Sequence, residues 1–96
     1  MIVVNAEYIT TLVEITKKQN EKISLEEPAT VQYLIDKLIT RYGQKMKEAL
    51  FPNGSQELGA YVAILTPDRG YLAVEKIDAI LKDGDSLLMG LLLFGG

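Results

Sequence analysis

The sequence ends in Gly95-Gly96, and we expect the α-carboxylate of Gly96 to be the working group of the protein. Glycine lacks a Cβ and tolerates every backbone conformation, so Gly95 and Gly96 form a slim end that can enter a channel in another protein. An α-carboxylate has an ordinary pKa of about 3.3–3.7, so it is ionised at neutral pH and is a poor electrophile. The pattern therefore predicts a carboxylate that a second protein activates. A frayed terminus without a role is the alternative.

Side-chain catalysts of the usual kinds are missing from the 96 residues, which include no Cys, no His and no Trp. Common zinc, iron and copper sites and Cys–His or Ser–His–Asp nucleophiles need these residue types. The 13 acidic residues are scattered, and no pair stands out as a general acid and base. We therefore predict a protein that is not an enzyme by itself and that binds neither a metal nor a cofactor.

The charge and hydropathy of the chain limit the kinds of partner and the cellular compartment that we expect for it. A net charge of −3 and an isoelectric point of about 4.9 argue against nucleic acid, which needs a concentrated basic surface. The longest basic feature is Lys17-Lys18. No apolar stretch approaches the roughly 20 residues of a membrane span, and Met1-Ile2-Val3-Val4 enters a strand without a signal peptide. We expect a cytoplasmic protein that binds no membrane.

Alternating apolar residues predict two strands, from Ile2 to Ile9 and from Glu21 to Leu25, which pair as a hairpin. The intervening residues after Thr11 are expected to be irregular or to form a single turn. Apolar residues then recur at helical spacing, and they are Val31, Leu34, Ile35, Leu38, Ile39 and Tyr42. This stripe predicts a helix that packs against a sheet, with Thr30 as its N-cap and Gly43 at its end.

The second half of the chain predicts a short helix near Met46 and then three strands. These run from Ala60 to Leu65, from Tyr71 to Val74 and from Ser86 to Phe94. One helical turn is expected between Lys76 and Leu81, and a tight turn at Lys82-Asp83-Gly84-Asp85. The order is therefore strand, strand, helix, short helix and three strands.

The whole chain resembles the MoaD proteins, the small sulfur-carrier subunits of molybdopterin synthase, above all their longer archaeal and thermophile versions. Four segments carry the resemblance: Leu12-Val13-Glu14-Ile15-Thr16, Pro28-Ala29-Thr30-Val31, Ile80-Leu81-Lys82-Asp83-Gly84-Asp85 and Gly95-Gly96. ThiS, the usually shorter thiamin sulfur carrier, and the ubiquitin-related modifier share this outline. The resemblance implies an α+β, β-grasp (ubiquitin-like) fold, with a mixed sheet of four to five strands and one main helix on one face. It assigns residues 1–94 to a single domain and residues 95–96 to a flexible tail.

The resemblance also implies a chemistry for Gly96. In such proteins an adenylating enzyme of the MoeB/ThiF kind uses ATP and magnesium to make an acyl-adenylate at the terminal carboxylate, and sulfur then replaces the AMP. The resulting thiocarboxylate would deliver sulfur inside a MoaE-like large subunit, with Gly95 keeping the tail extended. This chain itself would bind no cofactor, and the catalytic side chains would belong to its partners.

The last predicted strand is apolar on both faces, with Leu87, Met89, Leu91 and Leu93 on one and Leu88, Leu92 and Phe94 on the other. Because the helix covers one face only, an exposed apolar patch should mark a partner surface. We expect five residues to bind partners: Phe94, Leu93, Leu92, Leu91 and Met89. Phe94 is the first choice as an anchor. A central strand that is buried on both faces and a homodimer are alternatives.

Three other functions remain open for the same carboxylate: tRNA thiolation, thiamin synthesis and isopeptide attachment to protein lysines. A non-reactive β-grasp adaptor, which binds through its sheet, belongs to a different class. Two segments depart from the family. Leu65–Gly70 stands where many relatives have an Asn-containing turn, and Leu91–Phe94 stands where many have small or Pro-rich residues. Both concern which acceptor enzyme is recognised and leave the thiocarboxylate chemistry untouched.

Overall fold

The chain folds into a mixed five-stranded sheet with helices and a second, two-stranded sheet. The structure is a computed structural model that describes residues 1–9, 11–52, 61–66, 70–74 and 78–90. Its strands are β1 (Ile2–Tyr8), β2 (Asn20–Leu25), β3 (Ala29–Thr30), β4 (Tyr61–Thr66), β5 (Gly70–Val74), β6 (Ile80–Leu81) and β7 (Ser86–Gly90). Its helices are α1 (Thr11–Thr16), α2 (Val31–Tyr42) and α3 (Gln44–Leu50).

The large sheet has the strand order β2-β1-β7-β4-β5. β1 and β7 are parallel and lie side by side in the middle, and the other neighbours are antiparallel. β3 and β6 pair separately as a short antiparallel sheet. This architecture confirms the predicted α+β, β-grasp fold with a mixed sheet.

α2 covers one face of the large sheet, as its apolar stripe predicts. Val31, Leu34, Ile35 and Leu38 are fully buried, and Ile39 and Tyr42 are partly buried against the same core. Each of the fully buried side chains contributes about 1.5–3 kcal/mol relative to exposure.

Both ends of α2 follow the sequence prediction. The Thr30 side chain accepts a hydrogen bond from the Tyr33 N–H at 3.2 Å, which satisfies one of the orphan donors of the first turn. Gly43 follows the helix with φ at 82°, and its N–H donates to the Ile39 carbonyl at 2.7 Å. A positive φ of this kind favours glycine, so α2 ends where the sequence indicates.

The strands bury alternate residues under α2. In β1, Ile2, Val4, Ala6 and Tyr8 are buried, whereas Val3 is 41% exposed. Leu87 and Met89 of β7 and Val62 and Ile64 of β4 belong to the same buried cluster. Since successive side chains of a strand point to opposite faces, this alternation defines a core face under α2 and an opposite, open face.

The turn that precedes β7 is bound tightly to the beginning of β1. The Asp83 carboxylate accepts a hydrogen bond from the Val3 N–H at 2.7 Å, and the Gly84 N–H donates to the Val3 carbonyl at 2.9 Å. The buried carboxylate of Asp85 accepts from the Lys82 N–H at 2.9 Å. These bonds close the predicted Asp-Gly turn and set the register in which β7 enters the sheet.

Two elements differ from the sequence prediction. Thr11–Thr16 is a helix of six residues, where an irregular stretch or a single turn was expected; Leu12 anchors this helix in the core. Ile80–Leu81 is a strand paired with Ala29–Thr30, where a helical turn was expected. Residues 91–94 of the predicted last strand lie outside the described residues.

Within the described ranges, no helix combines the length and hydropathy needed to cross a membrane. The same ranges bring no three acidic side chains together in an arrangement that could hold a metal ion.

We predict that Thr30→Ala lowers the free energy of unfolding by about 1 kcal/mol, because the Tyr33 N–H loses its cap. Urea unfolding followed by circular dichroism measures the change. Thr30→Ser keeps the hydroxyl and is the matched control, so it should retain most of the stability. Equal losses in the Ala and Ser variants would show that the methyl group, and not the cap, stabilises this end of α2.

Candidate functional site at the end of the last strand

The predicted site residues lie in β7 or follow it in the sequence. Gly95, Gly96 and residues 91–94 lie outside the described residues, whereas Met89 lies inside them. The structure therefore defines the place from which the chain continues towards Gly96, and this place is the end of β7 at Gly90.

The end of β7 lies beside the end of β1, because these two strands are parallel. Met89 is the register partner of Tyr8, and the Ile9 N–H donates to the Met89 carbonyl at 3.0 Å. On its other side, Met89 pairs with Val62 and Gly90 with Tyr61. The last described residues of β7 are thus held between two strands, and the following six residues begin at a fixed point of the sheet.

Met89 needs a correction as a partner-binding residue. Its side chain is fully buried and belongs to the hydrophobic core under α2. Both faces of β7 are apolar, so the sequence alone does not show which face is turned to the core. In the structure Met89 is the register partner of the buried Tyr8, which places the Met89 side chain on the core face. The Met89 side chain is therefore not available to a partner.

The open face of the sheet carries exposed apolar side chains. Val3 is 41% exposed and Leu65 38% exposed, and Leu88 is half-buried between them and the end of β7. Leu65 is the register partner of Ser86 at the beginning of β7. In the part of the chain that the structure describes, the helices pack on the other face. Val3, Leu65 and Leu88, hereafter the open-face residues, are thus apolar side chains that solvent reaches on this face. Val3 and Leu65 lie near the beginning of β7, and Leu88 lies closer to Gly90.

On the core side of the exit, Glu21 is a nearly buried carboxylate, with 7% of its side chain exposed. It accepts hydrogen bonds from the hydroxyls of Tyr8, at 2.8 Å, and Tyr42, and from the guanidinium of Arg41. The Lys18 ammonium lies 3.8 Å from the same carboxylate. This cluster ties the end of β1 to β2 and to the end of α2.

The environment shifts the pKa of Glu21 and of both tyrosines. Burial by itself raises the pKa of Glu21. Hydrogen bonds from Tyr42, Tyr8 and Arg41 and the charge of Lys18 outweigh burial and leave this pKa below its ordinary value. Burial and the bonds to Glu21 raise the pKa of Tyr8 and Tyr42 above the ordinary range. At neutral pH the cluster therefore holds one carboxylate and two neutral hydroxyl donors.

Sequence reasoning missed the Glu21 cluster, although one signal was present. Glu21 alternates with Ile23 and Leu25, which places a charged residue on the core face of β2. A charge at such a position needs partners. Tyr8, Arg41 and Tyr42 come from distant parts of the chain, so only the folded structure identifies them.

A groove of about 750 Å³ lies between α1 and α3. Glu14 and Lys17 line it from one side, and Lys45 and Glu48 from the other. The two signs of charge balance, so the groove offers no concentrated charge to an ionic ligand.

The fold and the parallel central strands place the chain in the ubiquitin-like, β-grasp class. No protein-family model matches the sequence, and no curated protein is significantly similar to it. Among solved structures, a Pyrococcus furiosus protein provisionally named molybdopterin converting factor, subunit 1, is 24% identical, with a TM-score of 0.73 over 97% of this chain and 100% of its own.

Two further solved structures have the same fold. The small archaeal modifier protein 1 (SAMP1) of Methanosarcina acetivorans is 21% identical, with a TM-score of 0.71 over 100% of this chain and 98% of its own. Urm1 of Trypanosoma brucei is 20% identical, with a TM-score of 0.70 over 98% of this chain and 95% of its own. At these identities the likeness establishes the fold.

We predict that Glu21→Gln lowers the free energy of unfolding by about 1–3 kcal/mol at neutral pH, because charge-assisted hydrogen bonds are lost. The folded-state pKa of Glu21 lies below its unfolded value of about 4.3. Its stabilisation is thus present above pH about 4.3 and lost as the pH falls through the folded-state value. The gap between wild type and variant should shrink under acid conditions.

Urea unfolding over a series of pH values measures this gap. Glu26→Gln is the matched control, since Glu26 is exposed and the same chemical change there should leave stability nearly unaltered. A gap for Glu21→Gln that stays constant from neutral to strongly acid pH would contradict the assignment of the carboxylate form.

Proposed function

We propose that this protein is a sulfur carrier whose working group is the carboxylate of Gly96. The observation that carries the proposal is a ubiquitin-like fold, matched along nearly the whole chain, in which Gly95-Gly96 follows β7 after a short apolar segment. The proposal requires that the natural protein end at Gly96. The body of the domain supplies a rigid support and a docking surface, and partner proteins supply the catalytic side chains.

The proposed reaction has two steps at one carbon. First, a carboxylate oxygen of Gly96 attacks the α-phosphorus of ATP on an adenylating enzyme, and pyrophosphate leaves. Second, a sulfide equivalent attacks the carbonyl carbon of the acyl-adenylate, and AMP leaves with the bridging oxygen. The product is a thiocarboxylate at Gly96. The adenylating partner binds the ATP and magnesium, and its use of ATP fits a reaction in the cytoplasm.

For the acceptor, we propose the precursor of molybdopterin, held in a large synthase subunit of the MoaE kind. The support is the likeness to the Pyrococcus furiosus protein named as a molybdopterin converting factor subunit. In that assembly this chain would be the small subunit. The thiocarboxylate sulfur would bond to the precursor, and water would then attack the carbonyl carbon of Gly96, so that the C–S bond breaks and the carboxylate re-forms.

A second candidate uses the same activated carboxylate to modify proteins. Here the amine of a target lysine attacks the acyl-adenylate or a derived thioester, and an isopeptide bond forms. The likeness to proteins named small archaeal modifier protein 1 favours this possibility. Carriers for tRNA thiolation and thiamin synthesis share the first two steps, so the nucleophile that the acceptor presents separates all these fates.

Partner binding is proposed to involve the open-face residues and residues 91–94, with Phe94 as the anchor. Exposed apolar side chains on an otherwise charged domain commonly mark such surfaces. Leu91, Leu92 and Leu93 are proposed to contribute apolar contacts to the same partners. Met89 has no part in it, because its side chain lies in the core. A second copy of this chain is an alternative occupant of the same surface.

We predict that incubation with a cognate adenylating enzyme, ATP and sulfide replaces one oxygen by sulfur at Gly96. Mass spectrometry of the intact chain and of its C-terminal peptide measures the replacement. Deletion of Gly96 should abolish it and leave the melting temperature nearly unchanged, because the end of a chain usually contributes little to stability. An unchanged mass, under conditions that convert a control carrier, would favour a non-reactive adaptor.

The acceptor is identified by separate experiments on the natural host. Mass spectrometry of the natural protein first tests whether the chain ends at Gly96. Co-purification with a synthase large subunit would support the molybdopterin proposal. Conjugates linked to target lysines through Gly96 would support the modifier. Both outcomes require an activated carboxylate at Gly96. They therefore distinguish between the possible acceptors, and either one is compatible with the proposed sulfur carrier chemistry.

We also predict that Val3→Thr with Leu65→Thr weakens binding of the adenylating enzyme about tenfold, equivalent to about 1.4 kcal/mol. Threonine keeps the preference for strands while it replaces apolar surface by a hydroxyl. Isothermal calorimetry measures the affinity. Ile80→Thr is the matched control, since Ile80 is 62% exposed but belongs to the β3–β6 sheet. Equal weakening by the control, or none by the double variant, would exclude the open face as the docking surface.

A further inference from the structure

Gly90, the last described residue of β7, packs against the side chain of Ile9, the residue that follows β1. Gly90 is buried, and Ile9 occupies the place that a side chain of residue 90 would need. A Cβ built on Gly90 would lie 2.0 Å from Cγ1 and 2.8 Å from Cδ1 of Ile9, and 3.0 Å from the Ile9 carbonyl oxygen. No larger residue fits at position 90 while Ile9 keeps its place.

Ile9 is itself held firmly. Its N–H donates to the Met89 carbonyl at 3.0 Å, and the neighbouring Tyr8 N–H donates to the Gln19 carbonyl at 2.8 Å. The Tyr8 hydroxyl is bonded to Glu21 on the core face. Isoleucine is also stiff at χ1, because its Cβ is branched. The contact between Ile9 and Gly90 therefore lies at the end of a strand that hydrogen bonds hold in place.

We propose that Ile9 is a positioning residue for the reactive terminus: by packing over Gly90, it fixes the position from which the chain continues towards Gly96. This inference rests on the proposed carrier function and deepens it. The Ile9 side chain fills the space beside the Gly90 backbone. A larger residue at position 90 would therefore need a smaller residue at position 9.

The segment from residue 91 to residue 96 is short, so the position of Gly90 limits where Gly96 can reach. The six residues from 91 to 96 span at most about 20 Å when they are drawn out in a partner's channel. When the segment is drawn out to its limit, a displacement of Gly90 relative to the docked domain displaces Gly96 by about the same distance. A misplacement of about 1 Å at a reacting group can cost about a hundredfold in rate. A defined position of Gly90 therefore favours productive entry of the terminus once the domain has docked.

The test compares Gly90→Ala, Ile9→Ala and the double variant in adenylation assays that follow pyrophosphate release. Gly90→Ala should lower kcat about 10- to 100-fold and change KM much less, because it displaces Ile9 but leaves Val3, Leu65 and Leu88 in place. Ile9→Ala should lower kcat less. The double variant should be faster than Gly90→Ala, because the new methyl group enters the space that Ile9 vacates.

A merely structural effect is separated by a matched control. Ile23→Val removes one methylene from the core at β2, far along the sheet from Gly90, and should cost about 0.5–1.5 kcal/mol. It should leave kcat unchanged. A Gly90→Ala variant that is folded and turns over like wild type would overturn the inference, and so would a double variant no faster than Gly90→Ala.

A readout in the free protein keeps this inference distinct from the carrier function. Nuclear Overhauser contacts between the Ile9 δ1 methyl group and the Gly90 α-protons should be present in wild type and lost in Gly90→Ala. Their absence from wild type would overturn the inference whatever the activity. Failure of wild type to be adenylated, with these contacts present, would instead refute the proposed function and with it the positioning role.

Discussion

The parallel pairing of β1 and β7 is the constraint on which the rest of the structure depends. Two parallel neighbours cannot be joined by a tight turn, so the intervening chain must cross the sheet, and α2 does so on one face. The pairing also brings the ends of both strands to one edge. The turn at Asp83 and Asp85 fixes where β7 begins against β1, and the hydrogen bond from the Ile9 N–H to the Met89 carbonyl holds the other end of β7 beside β1.

The elements with a strong period could be predicted from the sequence. The stripe from Val31 to Tyr42, the Thr30 cap and the alternation in β1 each depend on neighbouring residues, and all three agree with the structure. α1 has six residues, too few for a helical period to show, and β6 is a strand only because Ala29–Thr30 lies beside it. Short elements of this kind are decided by tertiary contacts that lie outside any local window.

The candidate site shows the same division between local and distant information. The alternation of β2 places Glu21 on the core face, but its tyrosine partners lie 13 and 21 residues away along the chain. Likewise, β7 is apolar on both faces, so its pattern is compatible with Met89 inside or outside. The register with Tyr8 and Val62 puts Met89 in the core. In the sequence, Gly90 only interrupts an apolar strand. The structure explains the glycine, because the Ile9 side chain occupies the space that a larger residue would need.

The proposed mechanism requires a rigid exit and a domain that binds its partners by its surface. Ordering six residues in a partner's channel costs about 1–2 kcal/mol for each residue, or about 6–12 kcal/mol in all. Glycines are the most expensive residues to order, so contacts with the domain must offset much of this cost. Leu88 belongs to β7 and Leu65 pairs with it, so docking through the open face can supply affinity and bring Gly90 close to the partner. On the core side, the Glu21 cluster holds Tyr8 and the end of β1 in place, and on the open side Ile9 covers Gly90. In the proposed mechanism, the two sides together hold the strand that precedes the reactive end, and the partner proteins supply the catalytic side chains.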